Sequence, residues 1–105
     1  MPGPEEPLGI DRLIHEPSRL AILTVLSSVK EADFVFLQRA VKLTNGNLSS
    51  HLSKLEAAGL VTMEKRFVGK KPNTGVALTK LGRDRIAQHW KQLDELRTFS
   101  FKPVN

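Results

Sequence analysis

Cysteine is absent from this 105-residue chain, which excludes disulfide bonds, thiolate zinc sites and cysteine nucleophiles together. No apolar run approaches the roughly 20 residues that a membrane-spanning helix needs. Residues 1–7 carry Glu5, Glu6 and three prolines, whereas a signal peptide has a basic start and an apolar stretch. We therefore expect a soluble, cytoplasmic protein with a disordered lead-in at residues 1–7 and no membrane association.

Motifs for catalysis are also missing. The chain has no glycine-rich phosphate loop, serine nucleophile elbow or paired-carboxylate motif. Ser49, Ser50 and His51 are adjacent, but adjacency on a helix does not orient a base onto a nucleophile. The other histidines, His15 and His89, fall on different predicted elements. We expect no enzymatic activity, no cofactor and no metal site, with a His–carboxylate site across a dimer interface as the open alternative.

What the chain does have is an excess of positive charge. Lys plus Arg total 16 against 11 Asp plus Glu, which gives a formal net charge of +5. Cationic side chains release counterions from a phosphate backbone, so this excess favours a polyanionic partner. The length, with 40% hydrophobic residues, suits one compact domain with its own core.

Three short helices are predicted in the first part of the chain. The first opens at Pro17, because proline is tolerated in a helix's first turn. The second opens with Asp33 as its N-cap. After a tight break, the third covers residues 47–58, with Thr44 as its N-cap and Gly59 in the C′ position that favours glycine. Two short helices joined by so tight a turn form a helix-turn-helix.

A β-hairpin is predicted next. Residues 61–68 are rich in β-forming side chains, residues 69–75 are turn residues and lysines, and residues 76–78 return to an extended pattern. This two-stranded hairpin of residues 61–78 is called the wing below.

The last predicted helix covers residues 79–98, with Thr79 as its cap and apolar side chains at helical spacing. One domain therefore spans residues 8–98, and residues 99–105 are expected to form a flexible tail. The predicted fold class is α+β, mainly α, with a three-helix core, a two-stranded wing and a long C-terminal helix.

The third helix has two unlike faces. At 100° per residue, Leu52 and Leu55 fall within about 40° of Leu48, so that face packs inward. Opposite it, residues 45–53 carry no charge and present Asn, Ser and Gly. An ordinary solvated face, the simpler interpretation, would carry Lys and Glu. We instead predict that residues 45–58 form a recognition helix that reads base edges in the major groove.

The wing is the second predicted contact with DNA. Its four cations face a single acid, Glu64, within residues 61–75. A basic hairpin is often only a solubilising loop, but next to a recognition helix residues 64–75 are well placed to reach flanking backbone or the minor groove. The predicted DNA-binding residues are Thr44, Asn45, Gly46, Asn47, Ser49, Ser50, Ser53, Lys54, Lys65, Arg66, Lys70 and Lys71.

Three motifs resemble those of known regulators. Residues 49–61 follow the pattern Ser-x-His-Leu-x-x-Leu-x-x-x-Gly-Leu-Val, which is similar to the recognition helix of ArsR and MarR regulators of bacteria and archaea. Residues 17–20 (Pro-Ser-Arg-Leu) resemble their first-helix element, and residues 78–83 (Leu-Thr-Lys-Leu-Gly-Arg) resemble the segment after their wing. The resemblance spans roughly residues 8–97. It implies a small winged helix-turn-helix transcriptional regulator that binds double-stranded DNA.

A homodimer is expected because apolar segments flank the domain at both ends, and two-fold dimers are the commonest oligomers. In the resembling families the first and last helices pair in this way, which implies recognition helices about one DNA turn apart. The predicted interface residues are Leu8, Ile10, Leu13, Ile14, Ile86, Trp90, Leu93 and Leu96.

Three questions stay open in the sequence. His51 lies near the buried edge of the third helix, so it is either a half-buried structural residue or a base contact. Arg19 is either structural or a phosphate contact. The same fold also serves as a protein-interaction module without sequence-specific DNA binding, and whether a small-molecule effector exists is unknown.

Overall fold

The helices and the wing follow one another in the predicted order. The computed structural model describes residues 10–100, with side chains up to residue 98; the predicted lead-in, Leu8 and the predicted tail from residue 101 lie outside this range. Helix α4 continues to Ser100, past the predicted end at residue 98. The elements are α1 (Pro17–Ser27), β1 (Ala32–Asp33), α2 (Phe34–Val41), α3 (Asn45–Ala57), β2 (Val61–Val68), β3 (Lys71–Leu78) and α4 (Lys80–Ser100).

Side-chain caps set the ends of the two central helices. Asp33 Oδ1 accepts the N–H of Phe36 at 2.8 Å, and Thr44 Oγ1 accepts the N–H of Asn47 at 3.1 Å. Both predicted N-caps are therefore confirmed. After α3, Gly59 has a φ of 78°, the left-handed backbone that was the reason for expecting glycine there.

The sheet has three antiparallel strands in the order β1-β3-β2. Strand β1 pairs Ala32 with Val76 and Asp33 with Gly75. It was not predicted, because two residues are too few to show an alternating pattern. The wing itself consists of β2 and β3, which pair along the full length of both strands.

The second strand of the wing begins earlier than predicted. Residues 71–75 were expected in the turn but belong to β3, so only Gly69 and Lys70 connect the strands. Gly69 has a φ of 65°, which suits a two-residue hairpin turn with glycine first. Pro72 has no N–H to donate, yet it fits in the strand. Val68 and Lys71 form the hydrogen-bonded pair that closes the turn, so the next pair, Phe67 and Pro72, is a pair without hydrogen bonds. On the other side of β3, strand β1 does not extend as far as Pro72.

The core lies between the helices and the base of the wing. Its buried apolar residues are Ile14, Ile22, Leu23, Leu26, Ala32, Leu37, Leu48, Leu52, Leu55, Leu60, Val61, Val76, Leu78 and Ile86. Leu48, Leu52 and Leu55 are all fully buried, so the predicted inward face of α3 is confirmed. Across residues 10–100, no helix combines the length and apolar character needed to cross a membrane.

Helix α4 is fixed to this core at its first turn. Gly82 is buried, and a Cβ there would lie 2.1 Å from the carbonyl oxygen of Leu60, so only glycine permits the approach. Thr79 Oγ1 accepts the N–H of Gly82 at 2.9 Å and donates to the carbonyl of Gly59 at 2.6 Å. The predicted cap at Thr79 is therefore confirmed, and it also ties α4 to the end of α3.

Candidate nucleic-acid interface

The N-terminal half of α3 presents small polar side chains to solvent, because Leu48 and Leu52 hold its other face in the core. The exposed residues are Thr44, Asn45, Gly46, Asn47, Ser49, Ser50, Ser53 and Lys54. Within the described chain, the Thr44 hydroxyl accepts one backbone N–H and the other side chains have no hydrogen-bond partner. Their donors and acceptors are therefore available to a ligand.

The start of α3 is also open to close approach. A Cβ placed on Gly46 would meet nothing within 4 Å. The flanking Asn45 and Asn47 are exposed, and the Thr44 cap fixes the first turn beneath them. A rigid, uncrowded helix N-terminus with free amide side chains can enter a groove and form hydrogen bonds there.

Three of the four predicted wing cations project into solvent. Lys65, Lys70 and Lys71 are exposed, and none forms an ion pair within the described part of the chain. Arg66 differs, because its guanidinium donates through both Nη atoms to the carboxylate of Glu31, with Nη1 to Oε2 at 3.3 Å. Within the chain, the Nε, Nη1 and Nη2 groups of Arg66 already donate to Asn73 and Glu31, and the predicted DNA contact of Arg66 stays a prediction.

The Glu31–Arg66 ion pair stabilises the position of the wing. Arg66 Nε donates to Asn73 Oδ1 across the hairpin at 3.4 Å. A Cβ on Gly75 would lie 2.6 Å from Arg66 Nη2, so glycine leaves room for the pair. The hydrogen bond from Arg66 holds the pKa of Glu31 below its usual value, against an opposing effect of desolvation. We therefore interpret Arg66 as a residue that positions the wing.

Comparison with known proteins places this arrangement in a family. Residues 18–97 match the winged helix DNA-binding domain family. The chain belongs to this family. Over 72 residues it is 32% identical to an uncharacterized protein of Methanocaldococcus jannaschii, in a match that covers 69% of this chain and 78% of that protein.

Solved structures of winged helix regulators are similar to this chain. A transcriptional regulator homologue from Pyrococcus horikoshii OT3 has a TM-score of 0.82 at 28% identity, covering 90% of this chain and 94% of that one. A putative MarR-family regulator from Porphyromonas gingivalis W83 has a TM-score of 0.68 at 19% identity, covering 99% and 98%. The predicted fold class and the predicted resemblance to small winged helix-turn-helix proteins are confirmed.

The two residues with open roles are held inside the winged helix. Arg19 Nη1 lies 3.2 Å from His51 Nδ1, and Arg19 Nε donates to the carbonyl of Leu13 at 2.5 Å. Glu16 Oε2 lies 3.7 Å from the same nitrogen of His51. Desolvation would raise the pKa of Glu16, but the backbone N–H groups of Arg19 and Ser18 lower it below its usual value. This cluster ties α3 to α1, which gives both Arg19 and His51 a structural role.

The predicted dimer-interface residues divide into two groups. Ile14 and Ile86 are 0% and 4% exposed, so their assignment to an interface is wrong: they are buried within one chain, where α4 covers the segment before α1. Trp90 is 43% exposed and remains at the surface. The half-buried members are Ile10, Leu13, Leu93 and Leu96.

Two of the histidines meet where α4 packs on the segment before α1. His15 Nδ1 lies 3.3 Å from His89 Nε2. His89 is 1% exposed, and its Nδ1 has no hydrogen-bond partner within the described residues. Desolvation, and His15 beside it, lower the pKa of His89 below its usual value. No three potential metal ligands come together within residues 10–100, and the absence of a metal site stays a prediction.

Proposed function

We propose that this chain is a dimeric transcriptional regulator that binds double-stranded DNA with sequence specificity. The N-terminal half of α3 lies in the major groove, and the wing contacts flanking backbone or the minor groove. The observation that carries the proposal is the neutral, exposed face of residues 44–53, whose side-chain donors and acceptors have almost no use inside the described chain.

The residues of this surface have different roles in the proposal. Asn and Ser side chains hydrogen-bond base edges or nearby phosphates, whereas lysines provide charge that does not depend on sequence. Base contacts are assigned to Asn45, Asn47, Ser49, Ser50 and Ser53, with Thr44 and Gly46 close to the backbone. Phosphate contacts are assigned to Lys54, Lys65, Lys70 and Lys71.

Dimerisation is proposed to use α4 and the segment before α1. Trp90 is 43% exposed although it is the single tryptophan of the chain, and Leu93 lies close to it on the same helix. A second copy covering these side chains would remove apolar surface from water. Sedimentation of the wild type against Trp90→Glu tests this: we expect the wild type to sediment as a dimer and the variant as a monomer. A monomeric wild type contradicts the dimer.

Fluorescence anisotropy with a generic duplex, repeated across salt concentrations, tests the DNA-binding proposal. If the four assigned lysines contact phosphates in both copies, affinity should fall on the order of 10⁴-fold between 50 and 200 mM salt. Absence of binding, or binding that hardly depends on salt, contradicts the proposal and favours a protein-interaction module.

The substitution Gly46→Leu is expected to weaken DNA binding without lowering the stability of the fold. Because nothing lies within 4 Å of a Cβ there, Gly46→Leu should leave thermal unfolding nearly unchanged while it blocks close approach to a groove. We expect at least about tenfold weaker DNA binding, since one displaced pair of contacts is worth 1–3 kcal/mol. Ala57→Leu, at an exposed position near the end of the same helix, is the control and should bind normally. Equal binding by both variants would contradict the assignment of the N-terminal half.

A further inference from the structure

Among the described residues, the most exposed large apolar side chains lie on the wing. Phe67 is 72% exposed and Val68 is 61% exposed, and neither contributes to the core. Burying a phenylalanine contributes about 1.5–3 kcal/mol, and this chain leaves that contribution unused. Phe67 and its exposed cross-strand partner Pro72 form an apolar pair on one face of the hairpin, and grouped exposed apolar side chains are typical of a contact surface.

Phe67 and Val68 face opposite ways on the hairpin, because side chains alternate along a strand. Phe67 shares its face with Lys65 and with its cross-strand partner Pro72. Nearer the base of the wing, the same face includes Val61, whose side chain packs in the core with α3. Phe67 therefore extends the side of the sheet on which α3 lies.

The backbone presents Phe67 on a rigid support. The turn has only two residues, and β2 pairs with β3 up to Val68 and Lys71. Pro72, directly opposite Phe67, has a fixed φ that stiffens this end of the hairpin. A rigid apolar side chain loses little conformational entropy when it enters a binding site.

The charged residues closest to Phe67 along the chain, Lys65, Arg66 and Lys70, are cationic. Residues 65–83 contain no Asp or Glu. The exposed Lys65 shares the face of Phe67, Lys70 lies in the turn, and Lys71, the partner of Val68, lies on the opposite face of the hairpin. An apolar side chain between free lysines matches a surface with apolar walls flanked by negative charges. The minor groove of DNA has this composition, with deoxyribose walls between two rows of phosphates.

We propose that Phe67 is an apolar contact in the minor groove, where its ring packs against deoxyribose while Lys65, Lys70 and Lys71 pair with phosphates on either side. The inference rests on the proposed function, which places the wing beside the groove that α3 reads. It adds that part of the affinity of the wing is independent of charge.

Salt dependence distinguishes an apolar contact from an ionic one. Anisotropy titrations of one duplex at several salt concentrations compare the wild type with Phe67→Ala, Phe67→Leu and Lys70→Ala. Loss of a buried ring should weaken binding about tenfold per copy without changing the slope of log affinity against log salt. Lys70→Ala should reduce that slope by about one per copy. Phe67→Leu should keep most of the affinity. Netropsin, a minor-groove ligand, should compete with the wild type for the duplex and should compete much less with Phe67→Ala.

Phe36→Ala is the matched control, because Phe36 is also an exposed phenylalanine, 50% accessible, but lies on α2. It should bind DNA within about twofold of the wild type. Wild-type affinity in Phe67→Ala, at an unchanged melting temperature, would overturn the inference while leaving the proposed function intact. A change in sedimentation of Phe67→Ala, with unchanged DNA affinity, would assign the ring to a contact between proteins and also overturn it. Failure of the wild type to bind duplex DNA would overturn both.

Discussion

The exposed face of α3 and the wing differ in charge and in how each is fixed to the rest of the chain. The α3 face is neutral, and its position is set by the buried leucines beneath it and by the Thr44 cap. The wing carries exposed lysines, and its position is set by strand pairing and by the Glu31–Arg66 ion pair. In the wing, the residues that fix the position are distinct from the free lysines, whereas on α3 Thr44 is both the cap and a proposed DNA contact.

This difference indicates that the α3 face contributes sequence specificity and the wing contributes affinity that does not depend on sequence. Hydrogen bonds from Asn and Ser depend on which base is present, whereas lysine–phosphate attraction does not. Variants of the α3 face should therefore change the ranking of DNA sequences, and variants of the wing should weaken all sequences alike.

The largest effect is expected from charge reversal in the wing. Lys70→Glu with Lys71→Glu removes two phosphate contacts per copy, which corresponds to at least about 30-fold weaker binding at 0.15 M salt. Titrations with several unrelated duplexes should give the same fold loss for each. Lys80→Glu with Lys91→Glu, an equal change of charge on α4, is the control and should retain most of the affinity. Loss of affinity confined to one duplex would contradict the claim that the wing contacts DNA independently of sequence.

Mild acid is expected to act on the packing of α4 against the segment before α1. The pKa of His89 lies below its ordinary value of 6.5 because of desolvation and the neighbouring His15, so the unfolded chain takes up a proton that the folded chain does not. Stability is then fully present above pH 6.5 and falls as the pH drops below it, by at most about 1.4 kcal/mol per pH unit.

Denaturant unfolding from pH 7.5 to 5 measures this dependence, and His89→Leu should flatten it. Asp11 also faces His89, paired with Arg85 through Nε at 3.1 Å. Desolvation raises the pKa of Asp11, but Arg85 lowers it below 3.8 on balance, so Asp11 stays charged throughout this range. A dependence that persists in His89→Leu would contradict the assignment.

A smaller effect is expected from Ser50→Ala. Loss of one hydroxyl from the α3 face should change the preference between duplexes that differ at one base pair about fivefold, near 1 kcal/mol. Competition between such duplexes measures the preference directly. A uniform loss across all of them would make Ser50 a phosphate contact and would contradict its role in reading sequence.

The smallest effect is expected from Glu31→Gln. The substitution removes a negative charge and leaves the Arg66 guanidinium without its carboxylate partner, which should strengthen binding to any duplex about two- to threefold. Weaker binding would instead show that DNA binding by the wing depends on the Glu31–Arg66 ion pair that holds the wing in position.

Local patterns allowed much of the fold to be predicted. The caps at Asp33, Thr44 and Thr79, the left-handed Gly59 and the buried face of α3 each depend on residues within one turn of the feature. Residues 71–75 were misassigned to the turn because their composition of Lys, Pro, Asn and Gly is typical of loops, although only the pairing opposite β2 decides the conformation.

Contacts between distant residues were outside the reach of those patterns. Glu31 and Arg66 are 35 positions apart, and His15 and His89 are 74 apart, so neither pair has a local signature. Ile14 and Ile86 were assigned to a dimer interface because the sequence could not show that α4 covers the segment before α1. The exposure of Phe67 likewise follows from the length of the paired wing, which places residue 67 beyond the core.

Selection from a random duplex pool tests the central claim most directly, because it asks whether the chain reads sequence at all. We expect the wild type to enrich a pseudo-palindromic site with half-sites about one DNA turn apart. Ser50→Ala should shift the enriched bases, whereas Lys70→Ala should not. Binding to the pool without enrichment of any sequence would contradict it.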